Sequence, residues 1–219
     1  MSHKENVVKM IQEISGSQSP YQVFSDFVTM FAISIANAST FHRGKVWQER
    51  EKRYCDIANK YKEPELLKMV GIKEELVACF EEEMGDILGE VYMESGAGNK
   101  YTGQFFTPFH VSELTAATTI PKDYKGNEVL RIHEPSAGAG GMIIASAKVL
   151  KGMGFNYQKC MKVVAQDLDW LAVYMCYVQL SLYGIDAIVV QGDTLQDPYH
   201  EGFPKMRTLR TPRNMGVLM

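Results

Sequence analysis

The sequence predicts an α/β protein in which half of a doubly wound parallel sheet follows an α-helical domain. Three observations predict it. Apolar residues in the first hundred positions recur at helical spacing. From residue 129 onward, short apolar runs alternate with helical patterns, the signature of βαβ units. The first of those runs ends in a glycine-rich turn that opens a helix.

In the first part of the chain, Ser19-Pro20 starts a helix that runs to Ala38. Serine caps the orphan N–H groups, and proline loses nothing at the first turn, where its missing N–H has no partner. Phe24, Phe27, Val28, Phe31, Ala32 and Ile35 form its buried face. A second helix is predicted from Lys45 to Tyr61, with Trp47, Tyr54, Ile57 and Tyr61 on one stripe. Two more follow, Pro64 to Val70 and Lys73 to Met84, and Ile87, Leu88, Val91 and Tyr92 continue the pattern. Glu81, Glu82 and Glu83 read as a solvated helix face. The small, polar stretch 95–100 breaks helices and marks a domain boundary, giving a helical domain at 1–97 and a second domain at 98–219. Charge divides at the same point. Residues 1–97 hold 11 basic and 16 acidic side chains, a net of −5, and residues 98–219 hold 12 and 10, a net of +2.

In the second part, Val129–His133 is a strand ending at Glu134. Residues 141–150 form a helix, 162–166 a second strand, 169–183 a helix stopped by Gly184, and 187–191 a third strand. A further helix starts near Phe109.

The 219 residues suit one or two domains, and 46% hydrophobic with 22% charged residues excludes a disordered chain. A net charge of −3 provides no global attraction to nucleic acid. The four cysteines, Cys55, Cys79, Cys160 and Cys176, have neither CxxC nor metal-ligand spacing and read as reduced thiols, so no metal is expected. The N-terminal 15 residues are of mixed charge and do not read as a signal peptide. The apolar stretch Phe27–Ala38 is shorter than the ~20 residues of a membrane span. These features predict a cytoplasmic protein without a membrane partner.

The chemistry concentrates at three strand ends. Glu134-Pro135-Ser136-Ala137-Gly138-Ala139-Gly140-Gly141 follows the first strand. Its glycines allow a tight turn and close approach of the backbone to a ligand, and the helix start that follows offers free N–H groups. Asp167 ends the second strand, placed to accept hydrogen bonds from a ribose diol. Asp193 ends the third, in Gly192-Asp193-Thr194-Leu195. Ligands of open α/β sheets bind at these carboxyl ends, and the pattern points to a nucleoside-containing ligand. Thr102-Gly103-Gln104-Phe105-Phe106-Thr107-Pro108 precedes the sheet as an approach loop with two aromatics, suited to covering a ligand or to packing at a helix start.

In their order and spacing, Thr-Gly-Gln-Phe-Phe-Thr-Pro, Glu-Pro-Ser-Ala-Gly-Ala-Gly-Gly, Ala-Gln-Asp-Leu-Asp and Gly-Asp-Thr-Leu resemble the motifs of the N6-adenine DNA methyltransferases, in particular the modification (M) subunit of type I restriction-modification systems. The resemblance covers about residues 98–197. It implies a class I S-adenosylmethionine-dependent methyltransferase (Rossmann-like) sheet. It implies that Gln104, Phe105, Thr107 and Pro108 border the methionine end of S-adenosyl-L-methionine. Glu134 and the turn of Ala137, Gly138 and Gly140 would hold its amino-acid arm, Asp167 the ribose with Leu168 against the adenine, and Asp193 the adenine amino group with Leu195 alongside.

The sequence departs from that family in one respect. Members carry Asn/Asp-Pro-Pro-Tyr/Phe after a fourth strand, where the Asn or Asp and a Pro carbonyl accept hydrogen bonds from the target amine and the ring stacks on the extruded base. These 219 residues contain no Pro-Pro pair. Asp197-Pro198-Tyr199 lacks one proline and follows the third strand directly, so it reads as a turn. The resemblance thus implies methyl transfer to adenine N6 in DNA if the chain is complemented, or a catalytically inactive cofactor-binding partner or regulator. A remnant that binds nothing is the third alternative. The implied partners are DNA and a specificity subunit or another methyltransferase chain.

Three strands in order 3-2-1 leave Val129–His133 at an edge, an aggregation hazard. The expectation is that this strand is covered by the N-terminal helices, the tail or another chain in a homo- or hetero-oligomer. The tail 202–219, with Lys205, Arg207, Arg210 and Arg213 and no acid, reads as solvated or as a phosphate contact.

Overall fold

The computed structural model describes residues 2–16, 18–97 and 106–217. The chain divides into two compact units, one of residues 2–83 and 87–97 and the other of Met84–Asp86 and residues 106–217.

The first unit is helical: α1 (His3–Ile14), α2 (Pro20–Ala38), α3 (Lys45–Ala58), α4 (Glu63–Glu82) and α5 (Ile87–Glu94). Ser19 caps α2 as its sequence requires, accepting from the Gln22 N–H. α1 opens with a reciprocal capping box between Ser2 and Glu5. The two helices expected between Pro64 and Met84 are one, α4. Gly71 lies inside it, and a Cβ there would meet Met10 Sδ at 3.4 Å, so this glycine is where α1 packs close rather than where the helix breaks. The core of the unit is built from Val7, Ile11, Phe24, Ile72, Leu76, Leu88 and Tyr92, all fully buried. The Phe24 and Tyr92 rings meet with centroids 5.5 Å apart. Asp26 is buried, and it accepts the Tyr61 hydroxyl at 2.9 Å and pairs with Lys60 at 3.2 Å.

The second unit is a mixed α/β layer: α6 (Phe109–Thr119), β1 (Leu130–Glu134), α7 (Gly141–Gly152), α8 (Tyr157–Cys160), β2 (Met161–Asp167), α9 (Trp170–Leu182), β3 (Asp186–Gln191) and β4 (Thr208–Arg210). The sheet order is β1-β2-β3-β4, parallel through β3, with β4 antiparallel on its outer side. The three parallel strands are those expected from the sequence, in the expected adjacency.

Side chains alternate between the two faces because successive residues of a strand point opposite ways. Met161, Val163, Ala165, Ala187 and Val189 are buried on the face that receives α7 and α9. Arg131 lies level with Lys162 and Asp186, and His133 with Val164 and Ile188, on the opposite face. That face is more open, with Arg131, His133 and Lys162 exposed.

One expectation is corrected. The described part of the basic tail is folded rather than solvated, and it runs along β3. Thr211 is fully buried; its hydroxyl donates to the Ile185 carbonyl at 2.7 Å and accepts from the Ala187 N–H at 3.0 Å. Arg207 donates to the Gln191 carbonyl at 2.8 Å and to Asp197 at 3.3 Å, with its guanidinium over the Phe203 ring. These bonds satisfy the outer edge of β3, which an unpaired strand would leave open. Within the second unit no described strand pairs with the outer edge of β1. The exposed charged and polar side chains of Arg131 and His133 make this edge less apolar than the pattern implied.

Candidate cofactor site

The turn between β1 and α7 adopts a shape that needs glycine twice. Gly138 has φ +53° and Gly140 φ +95°, both in the left-handed region. The Gly140 N–H closes the turn on the Ala137 carbonyl at 2.8 Å. The Ala137 N–H donates to the Gln166 carbonyl at 3.0 Å, which ties the turn to β2.

Asp167, at the end of β2, reaches back to this turn. One of its oxygens accepts from the Gly138 N–H at 2.8 Å and the other from the Asp169 N–H at 3.0 Å. The third strand is stitched in as well. The Gly192 N–H donates to the Asp167 carbonyl at 2.9 Å, and the Thr194 hydroxyl to the Pro135 carbonyl at 2.7 Å. Asp193 caps the turn after β3, accepting from the Leu195 N–H at 2.9 Å. Glu134, Asp167 and Asp193 thus lie at three adjacent carboxyl ends joined by direct hydrogen bonds.

The electrostatics follow from this crowding. Burial pushes the Glu134 carboxyl above its ordinary range, and the nearby Asp167 charge adds to the effect, while the Ser136 N–H and His133 oppose it. Cys176 is fully buried behind the turn, and burial, with Asp167, Asp86 and Glu134 nearby, holds it well above its usual value. A thiol so raised is no nucleophile. The geometry offers hydrogen-bond acceptance from hydroxyl or ammonium groups, together with exposed apolar surface. Leu168 is 66% exposed and Leu195 96% exposed.

Of the approach loop, Gln104 and Phe105 lie outside the described residues. Thr107 and Pro108 are exposed at the start of α6, where the Pro108 carbonyl accepts from the Val111 N–H. The next aromatic of the loop, Phe106, meets the turn: a Cβ on Gly138 would lie 3.1 Å from Phe106 Cδ1. The second glycine has a similar constraint, with Cys176 Sγ at 3.2 Å from a Cβ on Gly140. Asp86 and Gln179 stand behind the turn and carry no sequence signal of their own. Among the described residues, no cluster of His, Cys, Asp and Glu fit to hold a metal is present.

The model of the N-6 DNA methylase family matches residues 82–213, well over half of the chain and all of the geometry above. The chain belongs to the N-6 DNA methylase family. Among its relatives is the type I restriction enzyme MjaVIII methylase subunit of Methanocaldococcus jannaschii, 33% identical over 133 residues, 58% of this chain and 21% of that protein. The type I restriction enzyme MpnII methylase subunit of Mycoplasma pneumoniae is 26% identical over 124 residues, 53% of this chain and 22% of that protein. The chain thus matches about a fifth of the length of these family members. A type I restriction-modification system methyltransferase subunit from Streptococcus thermophilus aligns in structure with a TM-score of 0.46 at 16% identity, covering 88% of this chain and 44% of that one.

Proposed function

We propose that the chain binds S-adenosyl-L-methionine at the carboxyl ends of β1, β2 and β3 and serves as the cofactor-binding part of an adenine-N6 DNA methyltransferase of restriction-modification type. The observation that carries this is the tying together of the strand ends that bear Glu134, Asp167 and Asp193, through Asp167 to the Gly138 N–H and Thr194 to the Pro135 carbonyl, beside a turn with two left-handed glycines. These residues fit the group. Each carboxylate oxygen has two lone pairs, so Asp167 keeps acceptor sites for ribose hydroxyls after its two backbone bonds. Glu134 and the turn would hold the amino-acid arm, and Asp193 with Leu168 and Leu195 the adenine. Thr107 and Pro108, with Gln104 and Phe105, would border the methionine end. The bound cofactor supplies an electrophilic methyl group.

Transfer of that methyl group needs contacts to an extruded adenine, and the family's Asn/Asp-Pro-Pro-Tyr/Phe motif is not among these 219 residues. Methyl transfer is the activity of the chain when complemented by that motif, with DNA and a specificity subunit or another methyltransferase chain as partners in a cytoplasmic assembly. No helix of the described residues is long and apolar enough to cross a membrane. The same missing motif favours a second reading, a catalytically inactive cofactor-binding regulator.

Calorimetric titration with S-adenosylmethionine tests the site. Leu195 is 96% exposed, so Leu195→Glu leaves folding unchanged and weakens binding about tenfold through the lost apolar contact. Absence of binding by wild type, or equal binding by the variant, refutes the assignment. Labelled methyl transfer to unmethylated DNA stays at background for the chain alone; incorporation above background overturns the claim that outside residues are required.

A further inference from the structure

Behind the glycine turn lies a buried polar relay. Asp86 is 5% exposed and Gln179 of α9 is fully buried. Gln179 Nε2 donates to Asp86 Oδ1 at 2.7 Å and to the Ala139 carbonyl at 2.7 Å. Ala139 is the middle residue of the turn. The peptide joining it to Gly140 is therefore held at both ends, its carbonyl by Gln179 and its N–H by the Ala137 carbonyl at 2.8 Å. Asp86 also packs on the first residue of α7: a Cβ on Gly141 would lie 3.3 Å from Asp86 Oδ2. A carboxylate at that place is favoured by the positive end of the helix dipole.

We infer that Asp86 is a positioning residue of the cofactor site, acting through Gln179 to set the Ala139–Gly140 peptide plane. The inference rests on the reading that this turn holds S-adenosylmethionine. The relay is chemically specific. A buried glutamine amide that loses one acceptor reorients to find another, because an unpaired polar hydrogen is costly away from water. Without Asp86, the amide that holds the Ala139 carbonyl loses one of the acceptors that fix its orientation, and its hold on the turn loosens. Asparagine at position 86 keeps an acceptor oxygen for Gln179, whereas alanine does not.

The test uses the full chain in three variants: Asp86→Ala, Asp86→Asn and Gln179→Leu, which keeps the volume of the side chain and removes both bonds. Two readouts are taken. Amide hydrogen exchange at Gly140 reports the turn without any ligand, and calorimetry with S-adenosylmethionine reports the site. Asp86→Ala and Gln179→Leu are expected to lower Gly140 protection and to weaken binding about tenfold each, and Asp86→Asn to keep both within about twofold. A purely structural role for Asp86 lowers the melting temperature without this pattern of rescue by asparagine. Folded Asp86→Ala or Gln179→Leu that binds as wild type does, or that keeps Gly140 protected, overturns the inference. If Asp86→Ala does not fold, Gln179→Leu and Asp86→Asn decide it by the same measures. If wild type fails to bind while Gly140 loses protection in the variants, the cofactor reading falls and the control of the turn by Asp86 stands.

Discussion

Gly140→Ala probes the turn at its tightest point. Gly140 has φ +95° and ψ 12° immediately before α7. An L-residue held in the left-handed region loses roughly 1–2 kcal/mol. The new β-carbon would also lie 3.2 Å from Cys176 Sγ, a contact tighter than ordinary packing. Overpacking of this kind costs about 1–3 kcal/mol, so the two effects together destabilise by about 2–5 kcal/mol. In a chain of this size, each kcal/mol moves the melting temperature by about 2–4 °C, which gives an expected drop of about 4–20 °C. Thermal unfolding followed by circular dichroism reads it. The two contributions separate in a double-mutant cycle. Cys176→Ala removes the sulfur, so the double variant should be about 1 kcal/mol more stable than the two single effects added, with the backbone strain remaining. Gly152, at the end of α7, is the control: nothing lies within 4 Å of its Cβ position, and alanine there should be neutral or stabilising by up to about 1 kcal/mol. Strict additivity of Gly140→Ala and Cys176→Ala, or a Gly140→Ala melting temperature within about 2 °C of wild type, refutes this account of the turn.

Two further predictions concern the sheet. Burial raises the Glu134 pKa in the folded state, so the folded chain holds that proton more tightly than the unfolded chain does. Its ionised form therefore lowers stability above the folded pKa, and this loss disappears as pH falls below the unfolded value. Glu134→Gln is expected to raise the melting temperature at pH 7 and to have little effect at pH 3.5, while weakening cofactor binding. An equal gain at both pH values contradicts it. Thr211→Val removes a buried hydroxyl that donates to Ile185 and accepts from Ala187, leaving the Ala187 N–H without that acceptor. The expected loss is about 2–3 kcal/mol, read as a lower urea midpoint with the slope unchanged, and an unaltered midpoint refutes the latch.

The legible parts of the fold were those that a short window of sequence encodes. Val163, Val164 and Ala165 form an apolar run, Ser19-Pro20 a cap, and Glu134–Gly141 a strand-to-helix turn. Each follows from local propensity and backbone freedom. The capping box of Ser2 and Glu5 is equally local. The break expected between Val70 and Lys73 is absent for a physical reason: Gly71 sits inside one continuous helix against Met10, a packing that no local pattern shows. The tail is equally hard to read locally: its three-residue strand is too short for a periodicity, and its Arg207 is held by Gln191 and Asp197.

What the sequence by itself determined was the order of the parallel strands and the chemical identity of the groups at their ends, because strand ends and turn glycines are set by residues adjacent in the chain. Tertiary structure decided which groups meet. Asp167 bonds to Gly138, 29 positions away, and Gln179 joins Asp86 to Ala139 across 93 and 40 positions. Phe106 meets the turn at Gly138, 32 positions further along the chain. Such partners are selected by geometry in the folded core, where a buried polar group must find an acceptor or donor wherever the chain brings one.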